Sequence, residues 1–123
     1  MSLGITIVSH VPEIAEGLPK LLKQVACDVS ITTAGGTNDG DIGTSMEKIM
    51  QAFDDNEADN ILAFYDLGSA KMNLEMAMEM SDKKVHLYDT ALIEGAYTAA
   101  SLIQAGVGLD EIEAQLKPLT IKD

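Results

Sequence analysis

Several residue types are scarce in this sequence, and each scarcity excludes a class of protein. Cys27 is the only cysteine, so an intramolecular disulfide is impossible and a reducing cytoplasm is the expected location. No apolar run approaches the roughly 18 residues that a membrane span requires, and no signal peptide is recognisable. The sequence has 8 basic residues and 20 acidic residues, which gives a net charge of −12. Nucleic acids and anionic membranes are therefore not expected as partners, because both would be repelled.

The sequence does contain enough apolar material for one folded domain. Hydrophobic residues make up 46% of the 123 residues, and the whole chain, 1–123, is expected to form a single domain. Short apolar segments, typical of buried strands, alternate with helical patterns. Strands are predicted over residues 3–9, 28–33, 60–65 and 84–88. Helices are predicted to begin near Pro12, Thr44, Ser69, Leu92 and Asp110.

The helical patterns carry expectations about capping. Thr44 and Glu47 read as a capping box, while Ser69 and Asp110 are plausible N-caps. Pro19 lies inside the first helix and predicts a kink or a loose first turn.

The same patterns carry expectations about burial. Cys27 is expected to lead into the second strand as a small apolar residue. Residues 54–59 read as a solvated acidic turn without the ligand spacing of a calcium loop. The first helix is expected to bury one apolar stripe, formed by Ile14, Leu18, Leu21, Leu22 and Val25. The methionines of the third helix are expected to fill the core: Met72, Met76, Met78 and Met80. The small residues of the fourth helix are expected to let another backbone come close: Gly95, Ala96, Ala99 and Ala100.

The alternation of strands and helices predicts a three-layer, doubly wound α/β fold of the flavodoxin-like type. Such a fold has a mostly parallel sheet covered by helices on both faces, here in the order 2-1-3-4. The switch point then lies between the first and third strands. His10 and Asp66 follow the carboxyl ends of those two strands, so we expect them to lie side by side.

A histidine beside a carboxylate is suited to carrying a phosphoryl group. Asp66 would accept a proton from one ring nitrogen of His10 and leave a lone pair on the other. The hydroxyl and amide of Ser69, the amides around Gly68 and the helix after His10 would then hold phosphate oxygens. No metal-binding cluster is predicted.

The segment from residue 34 to 43 contains four glycines and is the most loop-like part of the chain. It either approaches a ligand or partner closely or serves as a flexible connection, and the residues do not decide between these roles. Other flavodoxin-like functions are disfavoured. A receiver domain needs an acidic pair where this chain has Ser9 and His10, and aromatic residues, at 4%, are few for a flavin site.

Four blocks of the sequence resemble a known family. They are Ile7 to His10 with Glu16 and Gly17, Ala34 to Thr44, Tyr65 to Ala70, and Ala91 to Gly95. Their order resembles the mannose-family IIA proteins of the bacterial phosphotransferase system, and more closely the phosphotransfer subunits of phosphoenolpyruvate-dependent dihydroxyacetone kinases. The sugar-transporting members have Gly-Gly-Ser-Pro where this chain has Gly68-Ser69-Ala70, which favours the dihydroxyacetone branch.

The resemblance implies a phosphotransferase subunit that takes a phosphoryl group from the carrier protein HPr on the far ring nitrogen of His10. Asp66 would orient the ring and Ser69 would contact the phosphoryl group, which would pass to ADP in the nucleotide-binding kinase subunit. Phosphoenolpyruvate would be the ultimate source, no cofactor would be bound, and the protein would be a homodimer. The resemblance also implies a set of phosphate-loop or partner-loop residues: Ser9, Gly35, Gly36, Gly43, Thr44 and Gly68.

Two other functions fit the same fold. The chain could be the IIA component of a mannose-type sugar phosphotransferase system and pass phosphate to a IIB domain. It could also be a non-catalytic regulatory module that binds a partner through the loop from Gly35 to Gly43. Replacing His10 by alanine separates these classes, since only the regulatory module would keep its function.

Overall fold

A parallel sheet of four strands forms the centre of the computed structural model, which describes residues 1–122. The strands are β1 (Leu3–Ser9), β2 (Ile31–Gly35), β3 (Asn60–Tyr65) and β4 (Lys84–Tyr88). Their order across the sheet is β2-β1-β3-β4, and every pairing is parallel. The predicted doubly wound order is therefore confirmed.

Helices cover both faces of this sheet. They are α1 (Pro12–Leu22), α2 (Met46–Asp55), α3 (Lys71–Met80), α4 (Leu92–Gln104) and α5 (Leu109–Leu116), with short 3₁₀ helices at Gly68–Ala70 and Lys117–Leu119. Alternate residues of β1 and β3 point to opposite faces. Ile5 and Phe64 pack with α1, α4 and α5, whereas Val8 and Tyr65 pack with α2 and α3. Within residues 1–122, no helix is long and apolar enough to cross a bilayer.

The register of the two central strands brings their carboxyl ends level. Val8 pairs with Tyr65, so Ser9 and His10 on one strand emerge beside Asp66 on the other. Every residue of β3 is buried, and so is every residue of β1 except Leu3. Such strands are almost wholly apolar, which is why the sequence predicts them well. The switch point thus lies where the strand order requires it.

The start of β2 and part of the α1 stripe differ from expectation. Ala15, Leu18 and Leu22 form the buried face of α1, whereas Ile14 and Leu21 are nearly half exposed on its neighbouring side. The helix continues through Pro19 to its last turn. Pairing of β2 begins at Ile31 because residues 27–29 form a turn, which also leaves Cys27 exposed.

Three predicted caps are wrong. Ser45, not Thr44, caps α2, and its hydroxyl accepts the Lys48 N–H at 3.2 Å. Ser69 lies in the 3₁₀ helix that precedes α3, and the N-cap of α3 is Ala70. Asp110 lies in the first turn of α5, and the N-cap of α5 is Gly108. Glu47 accepts a hydrogen bond from the side chain of Asn38 rather than closing a capping box.

Two predictions about packing are also wrong. Met72, Met76 and Met80 are exposed, because Leu74 and Ala77 form the buried face of α3. The small residues of α4 are buried against the protein's own core, so the backbone that they allow to come close belongs to the same chain: Gly95, Ala96, Ala99 and Ala100. The predicted solvated acidic turn contains two buried residues, Asn56 and Ala58. Asn56 is 2% exposed and donates to the Ile5 carbonyl at 3.0 Å.

Candidate functional site

His10 occupies the junction between β1 and α1, at the carboxyl edge of the sheet. Its ring nitrogen Nδ1 lies 2.8 Å from Asp66 Oδ1, and its Nε2 lies 2.7 Å from Ser69 Oγ. The side chain is 15% exposed and that of Asp66 is 16% exposed. The structure therefore brings together the three residues predicted to form the centre of the site, and both the His10 and the Asp66 side chains keep a small part of their surface exposed to solvent.

Four donors hold the Asp66 carboxylate. Oδ1 accepts from the Leu67 N–H at 2.7 Å and from the His10 ring, while Oδ2 accepts from the His10 N–H at 3.0 Å and the Ser9 hydroxyl at 2.8 Å. Burial by itself raises the pKa of Asp66, but the hydrogen bonds from His10, Ser9 and Leu67 outweigh it and lower that pKa below its ordinary value of 3.8. Asp66 is therefore a carboxylate at neutral pH.

An ionised Asp66 fixes the tautomer of a neutral His10 ring. A carboxylate has no proton to donate, so Nδ1 must carry the proton of their hydrogen bond. Nε2 then has the lone pair, accepts from the Ser69 hydroxyl and can act as a nucleophile. The carboxylate also stabilises the positive charge that the ring acquires when Nε2 forms a bond.

Ser9 lies behind this site rather than at its surface. Its side chain is fully buried, donates to Asp66 and accepts the Val11 N–H at 3.1 Å. It therefore helps to orient the carboxylate and cannot touch a partner protein directly.

The glycine-rich segment is bonded to the histidine strand. The Gly36 N–H donates to the Ser9 carbonyl at 3.1 Å, and the Gly43 N–H donates to the His10 carbonyl at 2.9 Å. Gly36 has a φ of +76°, and a Cβ there would lie 2.7 Å from Pro12 Cγ. A Cβ at Gly35 would lie 2.7 Å from the Cβ of Ala15. These glycines thus allow the segment to pack closely against the start of α1.

The remaining predicted residues surround the opening. Thr44 Oγ accepts from the Asn73 side chain at 2.8 Å, which joins the segment to α3. Gly68 is exposed in the 3₁₀ helix, and its N–H and that of Ser69 form no hydrogen bond within residues 1–122. These amides adjoin the Ser69 hydroxyl and can donate to an oxyanion.

Sequence reasoning missed Asn73 and Lys122. Asn73 follows Ser69 by four residues, and this spacing places two residues on the same face of a helix. The spacing could therefore have indicated that Asn73 lies near the site. Lys122 reaches the site through the tertiary structure, so no local pattern marks it. Within residues 1–122, no cluster of three or more histidine, cysteine or acidic side chains could hold a metal ion.

Fold and site together define a doubly wound α/β protein with a polarised histidine at its switch point. The family model of the PTS system fructose IIA component matches residues 4–113. The phosphotransferase subunit DhaM of a PTS-dependent dihydroxyacetone kinase from Lactococcus lactis is 51% identical over 122 residues, covering 99% of each chain. The phosphoryl donor subunit DhaM of a PEP-dependent dihydroxyacetone kinase from Listeria innocua is 47% identical, covering 97% of this chain and 96% of the relative.

Solved structures agree on the fold. A protein described as of unknown function aligns with a TM-score of 0.85 at 32% identity, covering 99% of this chain and 98% of that one. The EIIA phosphotransferase component of Streptococcus agalactiae aligns with a TM-score of 0.67 at 18% identity, covering 98% and 96%, a likeness of fold alone. The chain belongs to the PTS fructose IIA component family and, within it, to the DhaM phosphotransfer subunits. The resemblance seen in the sequence is confirmed.

Proposed function

We propose that this protein is the phosphoryl donor subunit of a phosphoenolpyruvate-dependent dihydroxyacetone kinase and that His10 carries the phosphoryl group. The observation that carries the proposal is the hydrogen bonding of the His10 ring. Nδ1 donates to Asp66, so the lone pair lies on Nε2, next to the Ser69 hydroxyl. The full-length similarity to DhaM subunits supports the choice of acceptor system.

In the first step, Nε2 of His10 attacks the phosphorus of a phosphohistidine on the donor, which we infer to be HPr. A bond forms between Nε2 and phosphorus, the donor's nitrogen–phosphorus bond breaks, and its electron pair returns to the donor ring. The Nδ1 proton of His10 stays in its hydrogen bond with Asp66, which stabilises the charged ring. The Ser69 hydroxyl turns to donate to a phosphoryl oxygen, assisted by the amides of Gly68 and Ser69.

In the second step, an oxygen of the terminal phosphate of ADP, bound in the nucleotide-binding kinase subunit, attacks the phosphorus. The bond from Nε2 breaks, its electrons return to the ring as a lone pair, and ATP is formed. The His10 site is thereby restored without any net proton transfer through Asp66. The phosphoryl group comes ultimately from phosphoenolpyruvate and needs no bound cofactor. We further propose that the protein works as a homodimer in the cytoplasm.

Intact mass spectrometry tests the proposal. The protein is incubated with phosphoenolpyruvate, enzyme I and HPr, alongside His10→Ala and the matched variant His86→Ala, whose histidine lies on β4. One acid-labile, base-stable phosphoryl group is expected on the wild type and His86→Ala and none on His10→Ala. Failure of the wild type, in a system that phosphorylates another IIA protein, would contradict the proposal. Offering the phosphorylated protein ADP-loaded kinase subunit or a sugar-specific IIB domain then identifies the acceptor.

A further inference from the structure

The last described residues run beside the carboxyl edge of the sheet. After the 3₁₀ helix Lys117–Leu119, Thr120 forms an antiparallel bridge with Thr90. The N–H groups of Ile121 and Lys122 both donate to the Asp89 carbonyl at 3.0 Å. Asp89 directly follows β4, so this segment is attached at the same edge of the sheet as His10.

The ammonium of Lys122 joins the ends of two strands. It donates to the carbonyls of Tyr65 and Thr90, each at 2.8 Å, and lies 3.4 Å from the Asp66 carbonyl. It also lies 4.2 Å from the centre of the Tyr65 ring, within the range of a cation–π interaction. An ammonium has three protons to donate, and the carbonyls of Tyr65, Asp66 and Thr90 can accept them.

Two carboxylates act on this ammonium through their charge, those of Asp66 and Asp89. Burial lowers the pKa of Lys122, and both carboxylates act in the opposite direction. Asp89 already has its own cation, because Lys71 Nζ lies 3.1 Å from it. The Asp66 carboxylate is hydrogen-bonded to backbone N–H groups, a hydroxyl and the His10 ring, and to no lysine within residues 1–122. Lys122 interacts with this carboxylate through its positive charge.

We propose that Lys122 is a positioning residue of the transfer site: its ammonium fixes the backbone of Tyr65 and Asp66 and thereby holds the Asp66 carboxylate on the His10 ring. Without the ammonium, three carbonyls lose a charged donor and the turn that carries Asp66 and Ser69 can shift. Misplacing a catalytic group by about 1 Å can cost roughly 100-fold in rate. The consequence for transfer rests on the proposed role of His10, whereas the effect on the ring does not.

The test compares Lys122→Met with Lys117→Met. Methionine has an unbranched apolar side chain and lacks the donor, while Lys117 is an exposed lysine near Lys122 in the sequence. Phosphorylation by HPr is measured as kcat and KM, and the His10 tautomer is measured by ¹⁵N NMR without any donor. We expect kcat of Lys122→Met to fall by roughly tenfold or more, with KM unchanged. We also expect its His10 ring to become a mixture of tautomers. Lys117→Met should match the wild type in both measurements.

A third variant protects the test against a folding defect. Lys122→Arg keeps a charged donor and should recover part of the kcat and of the single tautomer. If Lys122→Met lowers only the melting temperature, and kcat and the tautomer stay those of the wild type, the positioning role is refuted. If the wild type takes up no phosphoryl group, the proposed function fails, and the NMR comparison alone decides the role of Lys122.

Discussion

The carboxylate of Asp66 holds His10 at two points, one on its backbone and one on its ring. Oδ2 accepts the His10 N–H at 3.0 Å and Oδ1 accepts ring Nδ1 at 2.8 Å. Two bonds to one residue restrict both the position of its backbone and the rotation of its side chain. The direction of the Nε2 lone pair is thus determined by a single carboxylate.

Replacing Asp66 by asparagine should therefore abolish most transfer without unfolding the protein. An amide group has one acceptor oxygen, and in one of its orientations its NH₂ faces Nδ1, which moves the ring proton to Nε2 and removes the lone pair. We expect the phosphorylation rate to fall by roughly 10³-fold or more, measured by rapid-quench mass spectrometry. Asp82→Asn, at an exposed acid before β4, is the control. An Asp66→Asn protein with the wild-type rate would rule out this role of the carboxylate.

Ser69→Ala should slow transfer and leave His10 as the acceptor. The variant removes the hydroxyl 2.7 Å from Nε2 but keeps the amides next to it. We expect a rate lower by roughly 10- to 100-fold, together with faster hydrolysis of the phosphohistidine. Ser101→Ala, at a hydroxyl that bonds within α4, should behave as the wild type. Equal rates for both variants would exclude a role of the Ser69 hydroxyl in transfer.

Acid should weaken the protein partly through Asp66. Because the pKa of Asp66 in the folded state lies below its ordinary value of 3.8, its stabilising contribution is present above that value. The contribution is lost as the pH falls through the folded-state pKa. The free energy of unfolding in urea, measured from pH 7 downward, should exceed that of Asp66→Asn by an amount that shrinks below about pH 4. Hydrogen bonds from Ser2 and Asn60 lower the pKa of Asp59 to about 2. This effect is present in the wild type and in Asp66→Asn, so it cancels when the two free energies of unfolding are compared. A constant difference would contradict the prediction.

Gly95→Ala should be destabilising although it lies in a helix. A Cβ at Gly95 would meet Thr90 Oγ1 at 1.9 Å and Phe64 Cε1 at 3.3 Å, so we expect a loss of about 1–3 kcal/mol. The matched variant is Gly17→Ala in α1, where a Cβ would meet nothing within 4 Å. That change should stabilise by about 0.5–1 kcal/mol through helix propensity. Urea unfolding of both variants checks the pair, and equal effects would refute the packing argument.

Asn56→Ala should also be costly. Its Nδ2 donates to the Ile5 carbonyl at 3.0 Å and to Thr32 Oγ1 at 3.2 Å, and its Oδ1 accepts from the Ala58 N–H at 3.0 Å. Removing the side chain takes one hydrogen bond from a polar group in each of three segments, so we expect a loss of about 1–3 kcal/mol in the free energy of unfolding. Gln51→Ala, on the exposed face of α2, should change it by less than about 0.5 kcal/mol.

The parts of this structure that the sequence predicts are those determined by burial and chain order. The bounds of β1, β3, β4 and α4 follow from apolar runs that end at polar or small residues. The meeting of His10 and Asp66 follows from the strand order, which strongly limits the possible neighbours.

The errors arise where local chemistry allows two answers or where the partner is distant. Thr44 and Ser45 are adjacent hydroxyls, and only the backbone conformation decides which one caps α2. Met76 and Leu74 are both apolar, but only Leu74 faces the sheet. Lys122 acts 56 residues away from Asp66, a distance along the chain over which no periodicity carries information.

The bonds from Gly36 to Ser9 and from Gly43 to His10 have a mechanical consequence. Residues 38–42 are exposed, while both ends of their segment are attached to carbonyls at the junction of β1 and α1. A protein docked on this segment would contact a loop whose two ends are hydrogen-bonded to the backbone of Ser9 and His10. A fluorescent label at the tip of the segment would therefore report, from the outside of the molecule, on events at a ring that is itself almost enclosed.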